Sequence, residues 1–159
     1  MNGPLNPRRK ARAIVLQVLY ELDLTHHPIW ETFANRLVDV DLSVEYVNFA
    51  RQLLEQTVLN ASRLDTIIQQ HATELPLTQL AVIDRNILRM ALWELSQSPQ
   101  TPVRVVINEA VELAKAFGSD ATASFVNGVL GTLVEQIADV RTQLLTVIAA
   151  DPTPVLTNS

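Results

Sequence analysis

Between Thr78 and Ser98-Pro99, the residues Leu80, Ile83, Ile87, Leu88, Ala91, Leu92 and Leu95 recur at intervals of three and four. That spacing puts all seven side chains on one face of a helix with 3.6 residues per turn. An apolar face of this length must be covered by neighbours, so it predicts the central helix of a core. The same period returns along the chain. It carries Ala11, Ile14, Val15, Val18, Leu19 and Leu22 near the start, then Val47, Ala50, Leu54 and Val58, then Leu64, Ile67, Ile68 and His71. Further on it carries Val106, Ile107, Ala110, Val111, Ala114 and Phe117, and finally Val126, Val129, Leu130, Leu133, Val134 and Ile137. No segment sustains a two-residue alternation, and the chain has only four glycines. No strand is therefore expected. The prediction is an all-α, single-domain helical bundle of about seven helices. At 159 residues such a domain can bury a core without covalent staples.

Local signals place the boundaries. The His26-His27-Pro28 turn ends the first helix, and a short element with Ile29, Trp30, Phe33 and Leu37 precedes the acidic break Asp39-Val40-Asp41. Ser43 suits an N-cap, with Glu45 in the first turn of a helix running to about Asn60. Ser62 with Asp65 suits the cap of the next, which stops near Pro76. Gly118 is placed to close its helix in a left-handed turn, Ser119 or Asp120 to cap the one after, and Gly128 and Gly131 to let helices approach closely. Residues 1–7 are expected to be a flexible segment, 8–148 the domain, and 149–159, with Pro152 and Pro154, a disordered tail.

Charge is less evenly distributed than apolarity. The chain carries a net charge of −5, yet Arg8, Arg9, Lys10 and Arg12 stand together at the start of the first helix with no acid among residues 1–12. Helix starts disfavour cations, because unpaired N–H groups carry the positive end of the macrodipole, and each misplaced charge costs roughly 0.3–1 kcal/mol. Two readings are open: a solvated basic tail, or a local contact for a polyanion on a chain whose remaining surface repels nucleic acid. Arg9, Ala13, Leu16 and Tyr20 form a second stripe on that helix, opposite its core face. Either the helix is buried all round, or this stripe waits for a partner.

Most chemistry finds no support. Cysteine is absent, which removes disulfides, thiolate catalysis and cysteine-based zinc sites. The glycines match no phosphate-binding loop, and neither the adjacent pair His26 and His27 nor the lone His71 has the spacing of a metal site. Glu109 and Glu112 share a helix face, but solvated acids are the commoner explanation than an acid–base pair. No enzyme, no cofactor and no metal are expected. Gln17 and Glu21 interrupt the apolar run AIVLQVLYEL, so it is expected to be neither a signal peptide nor a membrane span. A cytoplasmic protein with no membrane partner is the expectation.

Three blocks carry a resemblance: DRNILRMALWEL at 84–95, INEAVELAKAFG at 107–118 and FVNGVL at 125–130, behind the basic RRKAR of 8–12. Together, in this order, they are similar to the NusB family of transcription antitermination factors, over roughly residues 8–135. Gly131 stands where an aspartate commonly follows the third block, and the chain continues beyond residue 140 further than compact members do. The resemblance implies a non-enzymatic protein that binds boxA-type single-stranded RNA of ribosomal RNA operon transcripts together with NusE, a small-subunit ribosomal protein. Other Nus factors and RNA polymerase are the implied wider partners. Carried over by motif, Arg8, Arg9, Lys10, Arg12 and Phe125 would contact RNA, while Tyr20, Asp84 and Leu16 would face NusE. Phosphate at the basic helix start would relieve both the mutual repulsion and the dipole penalty. Phe125, if exposed, could stack an unpaired base; as a core residue it could not. Two alternatives stay open: an accessory module like those of ribosomal RNA cytosine methyltransferases, and a scaffold that binds only protein.

Overall fold

The computed structural model describes residues 6–71, 80–97 and 101–142. They form seven helices: α1 (Pro7–Leu24), α2 (Ile29–Leu37), α3 (Val44–Leu59), α4 (Ala61–His71), α5 (Val82–Gln97), α6 (Val103–Phe117) and α7 (Asp120–Glu135). Residues 137–142 continue helically after a turn at Gln136. Among the described residues there is no strand. The expected tail, most of the expected amino-terminal segment, and the helix ends near Pro76 and Thr78 lie outside them.

The long stripe of α5 is central. It packs against α1, α3, α4, α6 and α7. Ile87, Leu88, Ala91, Leu92 and Leu95 are all buried, with Met90 between them. Helix α1 is the second hub, enclosed by α2, α3 and α5. That enclosure decides which side of α1 is core. Ala11, Ile14, Val15, Val18 and Leu19 are buried as their spacing predicts, but so is Leu16, at 0% exposure. The expectation that Leu16 belongs to an outward stripe is corrected: three neighbouring helices leave α1 a wider buried face than a two-layer packing would.

The start of α1 is well built despite its charge. Asn6 accepts the Arg8 backbone N–H at 2.9 Å, and Pro7 at the first position has no N–H to satisfy. Two other boundaries, and the surroundings of two glycines, differ from expectation. Asn60, buried, both ends α3 and accepts the Leu64 N–H at 2.9 Å, so α4 starts at Ala61 and Ser62 lies inside it. Gly118 closes α6 without a left-handed turn, at φ −120°. Its small size matters for another reason: a Cβ there would meet Thr122 Oγ1 at 2.8 Å and the Ala114 carbonyl at 2.9 Å. Gly128 and Gly131 face open space rather than a neighbouring helix. Ser119 caps α7, accepting the Thr122 N–H at 3.2 Å.

Candidate nucleic-acid and partner interface

The four cations at the head of α1 meet four different environments. Arg12 is buried. Its Nε and Nη2 donate to the two carboxylate oxygens of Glu94 on α5 at 2.7 and 2.8 Å, and both side chains are only 5% exposed. Such a guanidinium has no surface left for a phosphate, so the expectation that Arg12 contacts RNA is corrected: it fastens α1 to α5. Periodicity held the signal. Arg12 lies three, four and seven residues before Val15, Leu16 and Leu19, and Glu94 lies three and seven residues after Ala91 and Ile87. Both are on core faces, where a charge requires a partner.

Arg9 is intermediate, 38% exposed, and forms a second fork with Glu109 of α6, Nε and Nη2 donating at 2.9 and 3.0 Å. The Arg9 hydrogen bond holds the Glu109 carboxyl below its ordinary range against the opposing effect of burial, and the same bond raises the already high Arg9 value. Glu109 is thus a structural ion-pair partner. Its neighbour Glu112 pairs loosely with Lys115 at 3.6 Å, so the two acids are not a catalytic couple. Arg8 is exposed and Lys10 half-exposed, and among the described residues neither has a carboxylate partner. Arg8 rests over the ring of Phe49 on α3, 5.1 Å from its centroid. Spacing did not single out Phe49, which sits one position off the stripe formed by Val47, Ala50, Leu54 and Val58.

Phe125 sits on α7, half-buried against the core, and α7 packs on α4, α5 and α6.

Tyr20 lies twelve residues further along α1, about 18 Å from Arg8 at the helical rise. It is 41% exposed and lines a groove of about 270 Å³ with Leu16, Gln17, Arg36, Ile83 and Phe117. Leu16 is the floor of that groove rather than a projecting contact. Arg36 of α2 is held across it, donating to Gln17 at 3.1 Å and to Glu21 at 3.2 Å. Phe117, expected in the core of α6, is exposed at its rim. Asp84 follows Ile83 in the first turn of α5, half-buried. Burial pushes its carboxyl up, opposed by a hydrogen bond from the Thr122 hydroxyl. An acid held in that way gains from a cation brought by a partner.

His27 Nδ1 lies 2.8 Å from Glu21, and among the described residues no three acids or histidines converge as metal ligands. No described helix is long and apolar enough to cross a membrane.

A helical bundle with a cationic edge at one end of α1 and an apolar groove towards the other has the makings of an adaptor, a protein that joins partners through two faces. The comparisons narrow that class. The NusB family profile matches residues 9–135, and the chain belongs to the NusB family. It is 44% identical over 136 residues to the transcription antitermination protein NusB of Dehalococcoides mccartyi strain CBDB1, covering 86% of this chain and 95% of that one. The NusB of Roseiflexus sp. strain RS-1 is 45% identical over 136 residues, covering 84% and 96%. Among solved structures, one of antitermination factors NusB and NusE in complex with double-stranded RNA superposes with a TM-score of 0.71 at 25% identity, covering 87% and 98% of the two chains.

Proposed function

We propose that this protein is a non-enzymatic transcription antitermination factor that binds boxA-type single-stranded RNA of ribosomal RNA operon transcripts together with NusE. It works in the cytoplasm, within a complex of other Nus factors on RNA polymerase. The observation that carries this reading is the division of α1 into two faces. At its start Arg8 and Lys10 have no acidic partner among the described residues, and about 18 Å away Tyr20 lines an apolar groove. The solved likeness that pairs a NusB with NusE and RNA supports giving one face to each.

RNA then meets Arg8 and Lys10 first. Phosphate displaces Glu109 from the exposed side of Arg9, while Arg12 stays with Glu94 and keeps the helix start in place. Phe125, half-buried on α7, offers RNA the part of its ring that solvent reaches. NusE takes the groove, with Tyr20, Ile83 and Phe117 as apolar contacts and Asp84 as the acid beside them. Titration of the purified protein with labelled boxA-type RNA and with a scrambled strand, each with and without NusE, tests this reading. Preference for the boxA-type strand, strengthened by NusE, is expected; equal binding of both strands contradicts it.

A further inference from the structure

Phe49 has two guanidinium groups against one ring. Its centroid lies 5.1 Å from the guanidinium carbon of Arg8 and 5.3 Å from that of Arg12. The two arginines are four residues apart on α1, so one helix face presents both to α3. They are not equivalent. Arg12 is buried and bound at both ends of its fork by Glu94. Arg8 is exposed, and among the described residues its guanidinium has no hydrogen-bond or ion-pair partner. Phe49 is itself half-buried, its backbone fixed in the second turn of α3, where α1 and α3 pack together.

We propose that Phe49 and Arg8 form a stacking platform for one unpaired RNA base, with the ring beneath, the guanidinium in the middle and the base on the outer face. Arginine stacks on aromatic faces through its planar group, and a plane held on one side by a ring offers its other side to a second π-system. Unpaired bases are gripped in this way by arginine planes and aromatic rings. The N–H edge of the same guanidinium stays available to a neighbouring phosphate, and Lys10 and the exposed side of Arg9 supply further positive charge beside it. A lysine in place of Arg8 would keep the charge and lose the plane. The platform rests on the RNA-binding reading and adds to it the residue that meets a base rather than the backbone.

The experiment is an abasic scan. A boxA-type single-stranded RNA is compared with strands carrying one abasic ribose at each position in turn, against the full chain and its Arg8→Lys and Phe49→Ala variants. At one position the missing base is expected to weaken binding to the unsubstituted protein about tenfold, the scale of one lost stack. The same abasic position is expected to cost almost nothing further in Arg8→Lys, with the salt dependence of binding unchanged. Phe49→Ala is expected to behave likewise, its fold checked by circular dichroism. Arg8→Lys alters an exposed side chain and keeps the test meaningful if Phe49→Ala unfolds. Full abasic penalties in Arg8→Lys overturn the platform while leaving the RNA-binding reading intact. Arg8→Lys that loses NusE association with RNA coupling unaltered also overturns it, assigning the plane to a protein. A protein that binds none of the strands removes both readings together.

Discussion

A guanidinium and a carboxylate that are each about 5% exposed, like Arg12 and Glu94, depend on one another. Removing one partner from such a pair leaves an uncompensated buried charge and typically costs about 3–5 kcal/mol, whereas replacing both with apolar residues can be nearly neutral. Arg12→Ala should therefore lower stability by that amount in urea unfolding, and the pair Arg12→Met with Glu94→Leu should recover most of it. A loss below about 1 kcal/mol in the single variant would place the pair among solvated surface contacts instead. Gly118 makes a sharper claim about space. A methyl group there meets the Thr122 hydroxyl and the Ala114 carbonyl at under 3 Å, so Gly118→Ala should destabilise by about 1–3 kcal/mol. Gly128→Ala, with nothing within 4 Å of the added carbon, should not destabilise. The two glycines separate close approach from mere composition, which spacing alone could not do.

Among elements, α1 is where stability and binding meet. Its Arg9–Glu109 fork ties the helix start to α6. Because the folded state holds the Glu109 carboxyl below its ordinary value, the fork stabilises fully above the ordinary glutamate range and is lost as pH falls through the folded value. Wild type should therefore lose stability faster than Glu109→Gln on acidification, read from urea midpoints across the acid range. Asp84 runs the other way. Its raised value means the ionised form is penalised, so protonation on acidification favours the fold, and Asp84→Asn should be no less stable than wild type at neutral pH. Glu109→Gln also releases Arg9. At neutral pH it should bind RNA more tightly, because the phosphate that reaches Arg9 no longer has to displace a carboxylate. At the other end of α1, Tyr20 is exposed enough to change without unfolding the protein. Tyr20→Asp should keep its circular dichroism spectrum and weaken NusE association in calorimetry; an unfolded variant would make Tyr20 a core residue after all.

For the molecule as a whole, the helical period identifies six of the seven described helices, because each buried face repeats locally in the chain, while the nine residues of α2 read only as a short element. What it could not give was the number of neighbours around each helix. Leu16 looked outward because α1 shows two apolar stripes, and only its enclosure by α2, α3 and α5 makes both of them interior along its middle. Phe117 looked inward because it extends the stripe of α6, yet that helix ends on the rim of a groove. The candidate site divides in the same way. The basic cluster stands in plain view in RRKAR, but the sorting of its members depends on acids 82 and 100 residues away, Glu94 beside Arg12 and Glu109 beside Arg9. Phe49, on a third helix, had no local signal at all. The result is an acidic protein with a small cationic edge, where Arg8 and Lys10 remain without acidic partners among the described residues. That edge carries the central claim, and the affinity for boxA-type RNA measured against salt concentration tests it most directly. Arg8→Glu with Lys10→Glu should bind more weakly at moderate salt, with the log–log slope reduced by about 1.4 for two lost contacts to single-stranded phosphates. Unchanged affinity and an unchanged slope would contradict it.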